Sequence, residues 1–120
     1  MSKPSLMVDS ESGAGLNTPG RPITTGRGPV NIAITPDGKT AYVANSLSNT
    51  VTPIRVATNT ALKPIKTGSQ PSALAITPDG TTVYVANSGS GTVTPIRVAT
   101  NTALKPIITG SYPEAITIFP

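Results

Sequence analysis

The chain has no cysteine, no histidine and no tryptophan, and aromatic residues make up only 3% of its 120 positions. Each absence closes a class of function. Without cysteine there is no disulfide, no thiolate metal site and no thiol redox centre. Without histidine the commonest general base and the commonest imidazole ligand are missing. Without tryptophan one usual anchor of a small core is gone. Charged residues are 12% of the chain, about half the ordinary share. No apolar run reaches the length of a membrane span or of a signal peptide's central region. None of the asparagines stands in an Asn-X-Ser/Thr acceptor.

What remains is Val, Ile, Ala and Leu with much Thr, 13 Pro and 11 Gly, a mixture that favours strands and turns over helices. The net charge is +4. The basic residues are spaced one by one, at Lys39, Arg55, Lys63, Lys66, Arg97 and Lys105. That spacing reads as a solvated surface, not as the concentrated basic face of a nucleic-acid binder, and stacking aromatics are scarce.

The dominant feature is a repeat. The segment "TVTPIRVATNTALKPI" occurs at Thr50–Ile65 and again, unchanged, at Thr92–Ile107. Residues 29–70 and 71–112 align without a gap and agree at 33 of 42 positions. Residues 21–28 ("RPITTGRG") match the end of the unit, "KPIKTGSQ", and residues 113–120 ("PEAITIFP") match its beginning, "PSALAITP". The first 20 residues read as a disordered tail. "GAGLNT" within it lacks the Gly-Lys-Ser/Thr ending of a phosphate loop.

Each unit reads as four short strands. "VNIAI" leads into the turn "TPDG", with Pro and Gly where a β-turn wants them. "TAYVAN" is the second strand, with Tyr42 and Ala44 on one face and Val43 on the other. "SLSN" connects to "TVTPIRV", "ATNT" turns, and "ALKPIKT" is the fourth strand. Pro53 and Pro64 exclude a helix there. Pro53 and Pro95, in a strand with neighbours on both sides, should sit at a bulge or a strand start. Pro64 and Pro106 suit an edge. The expectation is an all-β chain of four-stranded antiparallel propeller blades in tandem with a 42-residue repeat; a duplicated sandwich or meander is the alternative.

On Pro36-Asp37-Gly38, Tyr42-Val43-Ala44-Asn45, Thr50–Val56, Ala57–Thr60 and the same positions 42 residues later, the chain resembles the YVTN-type β-propeller repeat family. The Thr of that tetrad is Ala at 44 and 86, and Arg55 and Arg97 stand where the family often has Asp. The resemblance implies a bacterial propeller and, for relatives, an extracytoplasmic or cell-surface location. It also implies that related propellers carry redox cofactors or hydrolyse lactones. Closed propellers have four to eight blades; two whole blades suggest a piece of a longer protein or copies that associate. Self-association or missing blades of a parent chain are therefore the expected protein partners.

No residue is proposed as catalytic or as a metal ligand, and no cofactor is expected. Asp37 with Gly38, and Asp79 with Gly80, are read as structural turn residues. Arg55, Arg97, Lys63 and Lys105 form a possible basic binding row. The leading expectation is a non-enzymatic interaction or scaffold module, with the "PDGK/T" and "SLSN/SGSG" loops varying one rim. The alternatives are part of a propeller lactonase or cofactor enzyme whose catalytic residues lie outside the chain, and a polyanion binder.

Overall fold

The computed structural model describes residues 19–119; the tail expected over residues 1–20 lies, except for Pro19 and Gly20, outside them. Ten strands are present: β1 Pro29–Ile34, β2 Thr40–Asn45, β3 Thr50–Arg55, β4 Thr60–Ala61, β5 Ile65–Lys66, β6 Pro71–Ile76, β7 Thr82–Asn87, β8 Thr92–Arg97, β9 Thr102–Ala103 and β10 Ile107–Ile108. They form two antiparallel sheets of the same plan. In the first, β1 pairs β2, β2 pairs β3, and β3 carries both β4 and β5 on its outer side. The second sheet repeats this with β6, β7, β8, β9 and β10. Each sheet is a four-position blade, and no helix occurs among the described residues.

The fourth strand differs from expectation. It is broken into two two-residue pieces, with Leu62, Lys63 and Pro64 between them. The break lies opposite Pro53, and this explains a proline inside a central strand. Pro53 is fully buried in β3, in register with Tyr42 and away from any bulge. Its carbonyl accepts the Leu62 N–H at 2.8 Å. A strand residue's N–H and C=O point the same way, so the missing donor faces the interrupted outer strand and removes nothing from the β2–β3 ladder. Pro95 and Leu104 repeat the arrangement at 2.8 Å. The bulges fall in the innermost strands instead, between Pro29 and Asn31 and between Pro71 and Ala73.

Strand alternation sorts the apolar residues into two faces per blade. Tyr42, Ala44, Val51 and Ile65 on the rear of blade 1 pack against Val83, Val85 and Ile96 on the front of blade 2. Ala41, Val43 and Ile54 form the front of blade 1, where Ile23 packs on them. Burying a Val or Ile side chain is worth about 1.5–3 kcal/mol, so this seam between blades is the principal core. Tyr42 crosses it: its hydroxyl donates to Asn101 Oδ1 at 2.6 Å.

The two loops expected at one rim lie at opposite rims. The "TPDG" turn precedes β2 and the "SLSN" loop follows it, so a six-residue strand separates them. The first rim pairs the TPDG and ATNT turns, with Val56 N–H donating to Lys39 O at 3.0 Å. The second pairs the SLSN loop with the connection between blades, as in Ser88 N–H to Gln70 O at 3.0 Å.

Candidate functional site

Three places gather polar groups, and each follows from the local sequence. The first is the TPDG turn. Gly38 N–H closes it on Thr35 O at 2.8 Å, and Gly38 has φ +75°, a left-handed conformation that glycine takes without steric cost. Asp37 Oδ1 accepts from Thr35 Oγ1 at 2.6 Å and from Lys39 N–H at 2.9 Å. Asp79 Oδ1 accepts from Thr77 Oγ1 at 2.7 Å, Thr81 N–H at 3.0 Å and Thr81 Oγ1 at 2.9 Å, beside Gly80 at φ +74°. The threonine hydroxyls, then the backbone donors, hold both carboxyls below the usual carboxylate range. Such carboxylates stay ionised and are poor proton acceptors near neutral pH.

The second is a set of open grooves that hold the basic residues. One of about 550 Å³ runs along the seam, where Arg55, Lys39, Thr40 and Leu62 of blade 1 meet Asn101 of blade 2. Its counterpart on blade 2, about 480 Å³, is lined by Arg97 with Thr81, Thr82 and Leu104. Lys63 and Lys66 line a third, on the outer side beside Thr100 and Asn101. Lys105 is exposed at the break between β9 and β10. Among these grooves none brings two of Arg55, Arg97, Lys63 and Lys105 together. The arginines end the third strands at the turn rim, whereas the lysines sit in the outer-strand breaks.

The third was not anticipated from the sequence. Asn45 and Asn87, the last residues of β2 and β7, are fully buried. Asn45 Nδ2 donates to Thr52 Oγ1 at 3.0 Å and Thr50 Oγ1 at 3.3 Å, and its Oδ1 accepts from Thr25 Oγ1 at 3.1 Å. Asn87 Nδ2 reaches Thr94 at 2.8 Å and Thr92 at 3.2 Å. Its Oδ1 has no partner, because Thr67, the counterpart of Thr25, donates to Gly68 O at 2.9 Å instead. The signal was an amide closing "YVAN" in both repeats, two residues beyond the seam tyrosine's neighbour. Each asparagine ties the end of its strand to the neighbouring third strand, and Asn45 also holds the segment entering blade 1 through Thr25, which is an architectural role. Among the described residues, no three His, Cys, Asp or Glu side chains gather as a metal site would require. No helix there is long and apolar enough to cross a membrane.

Comparison with known proteins places this geometry. The model of the family described as "Lactonase, 7-bladed beta-propeller" matches residues 11–116. No curated protein matches. Among solved structures, hydrazine synthase of Kuenenia stuttgartiensis is similar at 30% identity and TM-score 0.72, over 82% of this chain and 28% of that one. A candidate 6-phosphogluconolactonase of Bacteroides fragilis NCTC 9343 is similar at 26% identity and TM-score 0.63, over 72% of this chain and 27% of that one. The β-propeller domain of Cps50 (Swd1) from Myceliophteria thermophila, at 12% identity and TM-score 0.68, shares 78% of this chain and 29% of its own, a likeness of fold alone. The chain thus spans under a third of the length of these structures.

Proposed function

This chain belongs to the lactonase, 7-bladed β-propeller family, and we propose that within it the chain works as a two-blade scaffold and interaction module without catalysis of its own. The observation that carries this reading is the state of the two acids inside the whole repeats, Asp37 and Asp79. Lactone hydrolysis needs a group that activates water or stabilises the developing oxyanion. The chain has no histidine, and Asp37 and Asp79 are each tied to their own turn by two or three hydrogen bonds. We assign the repeat to the YVTN type on its "PDG", "YVAN" and "ATN" elements, and with it a bacterial, extracytoplasmic setting.

The second reading is part of a lactonase whose catalytic residues lie on blades outside this chain, favoured by the family description and by the candidate 6-phosphogluconolactonase. A polyanion-binding role comes third, because Arg55, Lys63 and Arg97 line three separate grooves and Lys105 lines none of the three. The test is to incubate the purified chain with a sugar-phosphate δ-lactone and follow ring opening by proton release. The module reading expects the rate of buffer alone. A faster rate that falls in Asp37→Asn or Asp79→Asn would overturn it and make the chain an enzyme.

A further inference from the structure

We propose that the groove at the turn rim of the seam is a binding site for a small organic monocarboxylate, held by Arg55, Lys39 and Asn101. This goes beyond the module reading and is independent of whether the chain catalyses anything. The groove measures about 550 Å³, inside the range of about 300–1,000 Å³ usual for small-molecule sites. Both of its walls are internal to the chain. One is the turn rim of blade 1, and the other is Asn101 of blade 2.

Strand register brings these groups together. Thr40 pairs with Arg55, and further along the same ladder Tyr42 pairs with Pro53. Alternation therefore puts Thr40 and Arg55 on the face that carries Tyr42, the face turned to blade 2. Lys39 adjoins them at the end of the TPDG turn. Asn101 comes from the ATNT turn of blade 2, and Tyr42 fixes how its amide is turned. Its Oδ1 accepts from the hydroxyl of the buried Tyr42 at 2.6 Å, which leaves its Nδ2 on the opposite side. No acceptor meets that Nδ2 among the described residues. An oriented amide donor beside an arginine and a lysine is an arrangement that an oxyanion completes.

Charge selects the ligand. The guanidinium of Arg55 is a planar fork that matches the two oxygens of a carboxylate. Asp37 stands beside Lys39 in the turn and offsets one positive charge, so Lys39 and Arg55 against Asp37 leave a net +1. That balance suits a single negative charge better than the near-double charge of a phosphate ester. Val56 and Leu62 line the same groove and offer an apolar body a surface to rest on. Lys63 and Lys66 lie in the neighbouring groove beyond Asn101 and add attraction without lining this one. Blade 2 does not repeat the cation pair. Its groove has Thr81 where blade 1 has Lys39, and Arg97 against Asp79 leaves no net charge.

The experiment titrates the isotope-labelled full chain with sodium phenylacetate and follows the Asn101 side-chain amide by NMR. Saturable movement of that amide is expected, with a dissociation constant in the millimolar range. Arg55→Gln, at an exposed position, should weaken binding by about tenfold. Lys39→Thr, which gives blade 1 the residue of blade 2, should weaken it by less, about threefold. Arg97→Gln should leave it unchanged. Phenylacetamide keeps the ring without the charge and should not bind, and phenyl phosphate should bind more weakly than phenylacetate. An Asn101 amide that stays in place would overturn the proposal. So would phenylacetamide or phenyl phosphate binding as tightly as phenylacetate, or an equal loss in Arg97→Gln. Lactone hydrolysis by the chain would leave the carboxylate site intact and remove only the non-catalytic reading.

Discussion

The duplication supplies its own control for the hydrogen bond that crosses the seam. Tyr42 and Tyr84 stand at equivalent positions, but only Tyr42 faces a neighbouring blade, where its hydroxyl donates to Asn101 Oδ1 at 2.6 Å. Tyr84 is half-buried and its hydroxyl has no partner among the described residues. In Tyr42→Phe the ring still fills the seam and only the hydroxyl is lost. A net hydrogen bond is worth about 0.5–1.5 kcal/mol. Asn101 is itself half-buried, so water can partly replace the lost donor, and a cost near 1 kcal/mol follows. For a domain of this size that lowers the midpoint of thermal unfolding by about 4–8 °C. Tyr84→Phe should leave the midpoint unchanged. The assay is circular dichroism melting of both variants side by side. Equal shifts in the two variants, or none in Tyr42→Phe, would refute the assignment of the seam to these residues.

The other expectations use the same logic of paired positions. Burial, and then the charge of Asp37, push the Tyr42 hydroxyl up to about 12, against about 10 in an unfolded chain. The unfolded state therefore loses its proton first, and stability present below pH 10 should decline between about pH 10 and 12. Urea titrations across that window should show this component missing in Tyr42→Phe. Asp37 and Asp79 have carboxyls held below their ordinary value, so their contribution is present above about pH 4 and is lost as pH falls through the folded value. The double variant Asp37→Asn/Asp79→Asn should show a shallower acid decline. Asn45→Ala should cost about 1 kcal/mol more than Asn87→Ala, because Asn45 makes three side-chain bonds and Asn87 leaves its Oδ1 unpaired. Chemical denaturation midpoints decide that. Gly38→Ala should destabilise by about 1 kcal/mol through its left-handed backbone alone, since an added Cβ meets open space.

Much of the fold was legible because the repeat states each element twice. The 42-residue unit, the TPDG turn, and the opposed faces of Tyr42 and Val43 all follow from spacing and alternation. The broken outer strand was not legible. Nothing in "ALKPIKT" says that Pro53, eight residues before its first residue, already forbids the hydrogen bond that would hold its middle. The rims were misread because two loops sharing polar composition lie at opposite ends of one strand, which composition does not encode. The Asn45 and Asn87 networks escaped because a polar residue ending a strand reads as a turn residue. Only the threonines brought beside it by the second and third strands reveal a buried role. The basic row has the reverse character: equivalent positions are plain in the sequence, but the break in the outer strand puts Lys63 in a different groove from either arginine and leaves Lys105 exposed at the counterpart break.

The most direct test of the account is a double-mutant cycle across the seam between the blades, Tyr42→Phe against Asn101→Ala, read as chemical denaturation midpoints. If the two residues meet across the seam, the two losses will overlap, because both variants remove the same hydrogen bond. Fully additive losses would contradict it, for they would show that Tyr42 and Asn101 do not depend on each other.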